Sequence, residues 1–178
     1  MNRSKTNPNP RPAGADTPVR ATWEDRSGRL SDPDRVWLGH HLQVAAAHLG
    51  LSGEVRVVSV RDSDMSAAHA RYMDDPTTTD VLTFDLRDGG EGPLDTDILV
   101  CVDEAERQAR ERGHEARREL LLYAVHGVMH CTGHDDHDQG DYEKMHEAED
   151  AVLEAIGVGA TFHDARGSRP EPGPGAHP

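Results

Sequence analysis

Basic residues are in short supply. The chain has 19 Lys and Arg against 33 Asp and Glu, a formal net charge of −14. A uniformly acidic surface repels nucleic acids and anionic membranes, so a general nucleic-acid binder is disfavoured and only a localised positive site is left. Aromatic residues are also few, at 4%. Cysteine occurs only as Cys101 and Cys131. Two thiols exclude a disulfide framework, and a reducing cytoplasm is the expected setting. No run reaches the roughly 20 apolar residues of a membrane span. The N-terminal MNRSKTNPNPRPAGADTP has no apolar core of the kind a secretory signal needs.

Hydrophobic residues are thin at both ends of the 178-residue chain. Residues 1–18 and 160–178, rich in Pro and Gly, are expected to be disordered tails. Residues 19–159 are expected to form a single domain. Within it, VRATWEDRS and the alternating EVRVVSVRD read as strands, and so do TDVLTFDL and the apolar LDTDILVCVD. RDGGEGP reads as a turn between the last two. A helix capped by Ser31 or Asp32 runs to Gly50, and a shorter one from Ser63 or Ser66 passes through Tyr72. EAERQARERG, EARRELLLYAVHGVMHCTG and DYEKMHEAEDAVLEAIG complete the helices. The pattern predicts an α+β fold (an α/β sandwich), a single mixed β-sheet of about four strands packed with about five helices.

The chemistry concentrates in HGVMHCTGHDDHD, residues 126–138. His126 and His130 are four apart on one helix and therefore share a face, about 5–6 Å apart at Cβ. An isolated helical histidine is ordinarily a surface or hydrogen-bonded residue. A pair at this spacing, followed by a glycine and two more histidines, points instead to a cation site at the C-terminal end of the helix. Imidazole nitrogens suit zinc, and a catalytic zinc holds three protein ligands and keeps one position open. Gly133 is expected to take a left-handed turn that brings His134 or His137 back as the third ligand. Asp135, Asp136 and Asp138 are candidates to orient imidazoles, and Asp135 is the candidate catalytic carboxylate. Zinc peptidases place a glutamate after the first histidine as general base. Here that position is Gly127, which argues against a peptidase and suggests open room beside the cation. Cys131 is turned about 100° from His130 around the helix and reads as a small core residue.

These residues resemble a known family. HGVMHCTGHDDHD is similar to the H-G-x-L-H-x-x-G-(Y/H)-D-H signature of the YbeY family of bacterial metal-dependent endoribonucleases. DPTTTDVLTF resembles the family segment ending T-D-V-L-S-F, and LDTDILVCVDEAERQA resembles its G-D-I-x-I-C strand and following helix. Order and spacing agree over residues 54–157. The resemblance implies one zinc ion per chain on His126, His130 and His137, with His134 the alternative because this chain is one residue longer after Gly133. It implies hydrolysis of single-stranded RNA, with maturation of small-subunit ribosomal RNA and ribosome quality control as the setting. The partners implied are ribosomal RNA and the ribosome or its proteins, with neither DNA nor membrane. The family's phosphate-contacting arginine follows a tyrosine, where this chain has Met73 after Tyr72. Arg71 is the candidate replacement, within a basic patch of Arg71, Arg87, Arg107 and Arg110. The alternatives are a ribosome-assembly protein with a structural zinc and a metal hydrolase of another substrate, such as peptide.

Overall fold

Side chains alternate across β-strands, and here the alternation sorts two cores. In β2 (Gly53–Val60), Val55 and Val57 enter the main core, while Val58 and Val60 face the opposite side. In β4 (Leu94–Cys101), Ile98 and Val100 join the main core, and Leu99 and Cys101 join the smaller one. Both strands lie inside a sheet of order β1-β2-β4-β3, completed by β1 (Arg20–Asp25) and β3 (Val81–Asp85). β1 and β4 each run parallel to β2, and β3 runs antiparallel to β4. The sheet is mixed and the fold is α+β, as the element pattern predicts. This computed structural model describes residues 18–134 and 139–161. The expected tails lie almost wholly outside them.

Five helices cover the sheet. α1 (Asp32–His48) starts at Ser31, whose hydroxyl accepts the Asp34 amide at 3.2 Å, an N-cap of the kind serine favours. α2 (Asp62–Met73) buries Met65 over the smaller core. It begins ahead of the expected Ser63 or Ser66 and has no side-chain cap. α3 (Val102–Arg112) begins directly where β4 ends, two residues before the sequence pattern suggests. Among the described residues, no helix is long and apolar enough to cross a membrane.

α4 (Ala116–His130) is the central helix, packed on α1, α3, α5 (Gln139–Ala155), β3 and β4. Every residue from Glu119 to Met129 is buried except His126, which is partly exposed. A helix apolar nearly all round must be covered on all sides. From Glu119 onward only the His126–His130 edge opens outward. At the other end, Gly113 adopts φ 77° and its amide returns to the Ala109 carbonyl at 2.9 Å. That turn lets Arg112 reach back to the fully buried Glu119 at 2.9 Å, and His114 lies 3.0 Å from the same oxygen.

Candidate metal and active site

The i,i+4 spacing brings the two imidazoles together. His126 Nε2 and His130 Nε2 are 2.9 Å apart, with ring planes at 84°. Each ring is also held from behind. His126 Nδ1 lies 2.6 Å from Glu149 Oε1, and His130 Nδ1 lies 3.1 Å from the His134 carbonyl. A carbonyl and an ionised carboxylate only accept hydrogen bonds. Both Nδ1 atoms therefore carry a hydrogen, and in the neutral rings both Nε2 lone pairs face the same point. Two lone pairs 2.9 Å apart repel unless positive charge lies between them. Imidazole binds zinc at about 2.0–2.1 Å, so one cation can touch both. A histidine ligand fixed by a carboxylate or carbonyl on its other nitrogen is the usual support of such a site. The donor set fits a divalent metal ion.

Glu149 was not among the sequence candidates. It comes from α5 and is fully buried. Its second oxygen, Oε2, accepts His146 Nδ1 at 2.6 Å. Burial pushes this carboxyl up, but the hydrogen bonds and charges of His126 and His146 outweigh it and hold it below the ordinary value. One buried carboxylate thus anchors two imidazoles. A charge at a core position of an amphipathic helix is a readable signal: Glu149 stands four after Met145 and three and four before Val152 and Leu153, all buried.

The turn after α4 forms as expected, with Gly133 at φ 88° and the His134 amide on the Met129 carbonyl at 3.3 Å. It returns the backbone of His134 to His130, while the His134 ring nitrogen Nδ1 lies 3.0 Å from the Thr132 hydroxyl. His137 and Asp135 lie outside the described residues. Among the described residues, no group of three or more His, Cys, Asp or Glu is placed to hold one metal ion.

Other expectations meet a different arrangement. Gly127 does not open space beside the cation. A Cβ there would lie 2.4 Å from Thr83 Oγ1 and 3.1 Å from Ile98 Cδ1. The glycine lets α4 approach the sheet, and a catalytic glutamate at this position would have no room. Arg71 is exposed, with its guanidinium carbon 5.5 Å above the Tyr72 ring. Met73, on nearly the opposite side of α2, lines a cleft of about 320 Å³ with Thr83, Asp85, His126 and His130. Arg71 lines neither this cleft nor its neighbour, so its expected phosphate role finds no support in its placement. Two members of the expected basic patch, Arg87 and Arg107, are taken up by ion pairs. Arg87 binds Asp85 at 2.7 Å and the carbonyl of Cys131, clamping the end of β3 to the end of α4. Arg107 binds Asp62 and Glu104. Cys131 is buried beside Thr96, as its place on the helix suggests, and burial raises its thiol.

A second cleft, of about 490 Å³, opens on the other side of His126 and includes Tyr123, Tyr142, His146 and Glu149. The fold and the site together define a class: a single-sheet α+β domain whose buried central helix ends in two imidazoles, one backed by a carboxylate and one by a carbonyl, a layout suited to hydrolysis.

Comparison with known proteins carries this further. The sequence model of the family described as Endoribonuclease YbeY matches residues 27–157, and the chain belongs to that family. It is 32% identical over 130 residues to Endoribonuclease YbeY of Carboxydothermus hydrogenoformans, covering 71% of this chain and 91% of that one. The Bacillus subtilis Endoribonuclease YbeY is 30% identical over 146 residues, covering 75% and 93%. The solution structure of TM1509 from Thermotoga maritima shares the fold, with a TM-score of 0.51 at 21% identity, covering 86% of this chain and 99% of that one.

Proposed function

We propose that this protein is a zinc-dependent endoribonuclease that cuts single-stranded RNA. The observation that carries the reading is the pair of Nε2 atoms 2.9 Å apart with both Nδ1 atoms engaged from behind. The relatives' endoribonuclease activity supports RNA as the substrate.

In this reading His126 and His130 hold the ion, and His137 is the third ligand. His134, whose Nδ1 lies 3.0 Å from the Thr132 hydroxyl, is the alternative third ligand. When bound, the cation offsets charge on the phosphoryl oxygens and lowers the pKa of a water. The chain's own residues do the rest. Glu149 fixes the tautomer and orientation of His126, and the His134 carbonyl does the same for His130. Asp135 is the candidate to take a proton from the attacking group. The phosphate lies at the histidine edge, between the two clefts. The proposed setting is maturation of small-subunit ribosomal RNA and ribosome quality control, with the ribosome as partner.

The test uses zinc-loaded protein with a labelled single-stranded RNA and its duplex as control. Cleavage is expected of the single strand alone, and it is lost on chelation and in His126→Ala. Cleavage that survives both treatments overturns the mechanism.

A further inference from the structure

The last torsion of a glutamate is broad and roughly two-fold, so its own rotamer preference does not fix the plane of the carboxylate. Hydrogen bonds must do so. Glu149 is fully buried, and among the described residues each of its oxygens takes one imidazole. Oε1 takes His126 Nδ1 and Oε2 takes His146 Nδ1, both at 2.6 Å. Bonds to opposite oxygens fix a plane that a single bond leaves free to turn. An ionised carboxylate only accepts, so His146 Nδ1 carries its hydrogen, as His126 Nδ1 does.

The two bonds differ in origin. His126 reaches Glu149 from α4, whereas His146 stands three residues before it on α5. Residues three apart on a helix are neighbours, so α5 brings the carboxylate to α4 with its brace already attached. The His146 side chain is only 13% exposed, which shields the brace from competing water. Sequence position alone gives His146 no part in the cation site, because it lies sixteen residues beyond His130 and on a different helix.

We propose that His146 is a positioning residue of the cation site. Its hydrogen bond fixes the Glu149 carboxylate so that Oε1 stays aligned on His126 Nδ1. His126 Nε2 then stays turned to the point it shares with His130 Nε2. Without His146 the carboxylate is free to turn, and His126 loses its fixed tautomer and ring orientation, the support that an outer partner gives a metal ligand. The proposal rests on the cation site of the reading above, and one arm of its test needs no metal.

The experiment compares the full-length chain with His146→Leu and His146→Asn. Leucine fills comparable space without a donor, and the asparagine amide supplies an N–H near the place of Nδ1. Zinc affinity, read by competition against a chelating dye, is expected to fall about tenfold in His146→Leu, the low end of the loss for an orienting partner. His146→Asn is expected to recover most of it. Helix propensity ranks leucine above asparagine, so a merely structural role orders the two variants the other way, and urea unfolding of the metal-free proteins reads that order. NMR of the imidazole nitrogens in metal-free, alkaline buffer is expected to show His126 as the Nδ1–H tautomer in wild type and His146→Asn, and as a mixture of tautomers in His146→Leu. Wild-type affinity in His146→Leu, no recovery in His146→Asn, or one unchanged His126 tautomer throughout overturns the proposal. A wild-type chain that binds no zinc overturns the cation reading instead, and the tautomer change then still supports the positioning of His126.

Discussion

The two ends of α4 each meet a fully buried carboxylate, and the two carboxylates behave oppositely. Glu119, in the first turn, lies between Arg112 and His114, and burial still raises its carboxyl above the ordinary value. Glu149, packed near the last turn, lies between His126 and His146, and their hydrogen bonds hold its carboxyl down despite burial. The difference lies in the partners. Arg112 closes the α3–α4 turn on itself, and its charge is used inside the fold. An imidazole has a second nitrogen, so Glu149 acts through His126 Nδ1 on the Nε2 that faces the cleft. The first arrangement holds the helix in place, and the second prepares a ligand.

The comparison breaks most plainly at the histidines. His126→Ala is expected to abolish tight zinc binding and RNA cleavage while leaving the metal-free chain folded, as circular dichroism and zinc titration would show. Glu119→Ala should do the reverse. It leaves the partly buried Arg112 without its carboxylate, and the loss should approach the lower end of the about 3–5 kcal/mol that removing one partner of a buried pair costs. Urea unfolding would read that loss, with zinc affinity unchanged. If Glu119→Ala instead lost zinc at full stability, the division between the two ends would be wrong. Glu149→Gln sits between them. The amide keeps the shape but not the charge, and zinc affinity should fall about 10–100-fold, as for other residues that orient a ligand. Competition against a chelating dye measures it.

Gly127→Ala sharpens the same comparison from the sheet side. Its Cβ would meet Thr83 Oγ1 at 2.4 Å, and forcing an extra methyl into a packed interface costs about 1–3 kcal/mol. Adding Thr83→Ala should recover most of that loss in unfolding experiments. No recovery would mean that the strain lies in the helix rather than at the strand.

Much of this was legible in the sequence, for physical reasons that can be named. Alternation in EVRVVSVRD and the apolar run of LDTDILVCVD placed β2 and β4 correctly, because an inner strand of a sheet covered on both sides must offer apolar residues to its core faces. The i,i+4 histidines were readable because helix geometry alone makes them neighbours. Glu149 was harder. It lies 23 residues from His126, on a helix crowded with exposed acids, and only its place on the apolar stripe sets it apart. Gly127 was misread because a missing side chain looks like open space until the opposing Thr83 is known. Arg87 was misread as an RNA contact because pairing with Asp85 and the α4 terminus depends on a strand–helix approach that local sequence does not show.

Asp62 supplies the smallest and most discriminating test. Its carboxyl is lowered from 3.8 to about 2, first by the hydrogen bonds of Arg107, against some desolvation, with help from the Cys101 thiol. In direction it resembles Glu149, yet its side chain is 39% exposed and that of Arg107 42%. A carboxyl with a depressed pKa stabilises the fold above its unfolded value, and the contribution fades as pH falls from about 4 toward 2. For an exposed pair, water and salt reduce the effect, and it should not exceed about 1 kcal/mol. Asp62→Asn is therefore expected to lower stability slightly at pH 7 in low salt, less in high salt, and progressively less as pH falls toward 2. Glu149→Gln, at a fully buried carboxylate, should keep its effect on zinc affinity in high salt. A salt-independent loss in Asp62→Asn as large as that of Glu119→Ala would mean that burial does not set the worth of these carboxylates. The expected result means that a lowered pKa alone does not mark a functional group: what marks Glu149 is burial together with partners that face a cleft.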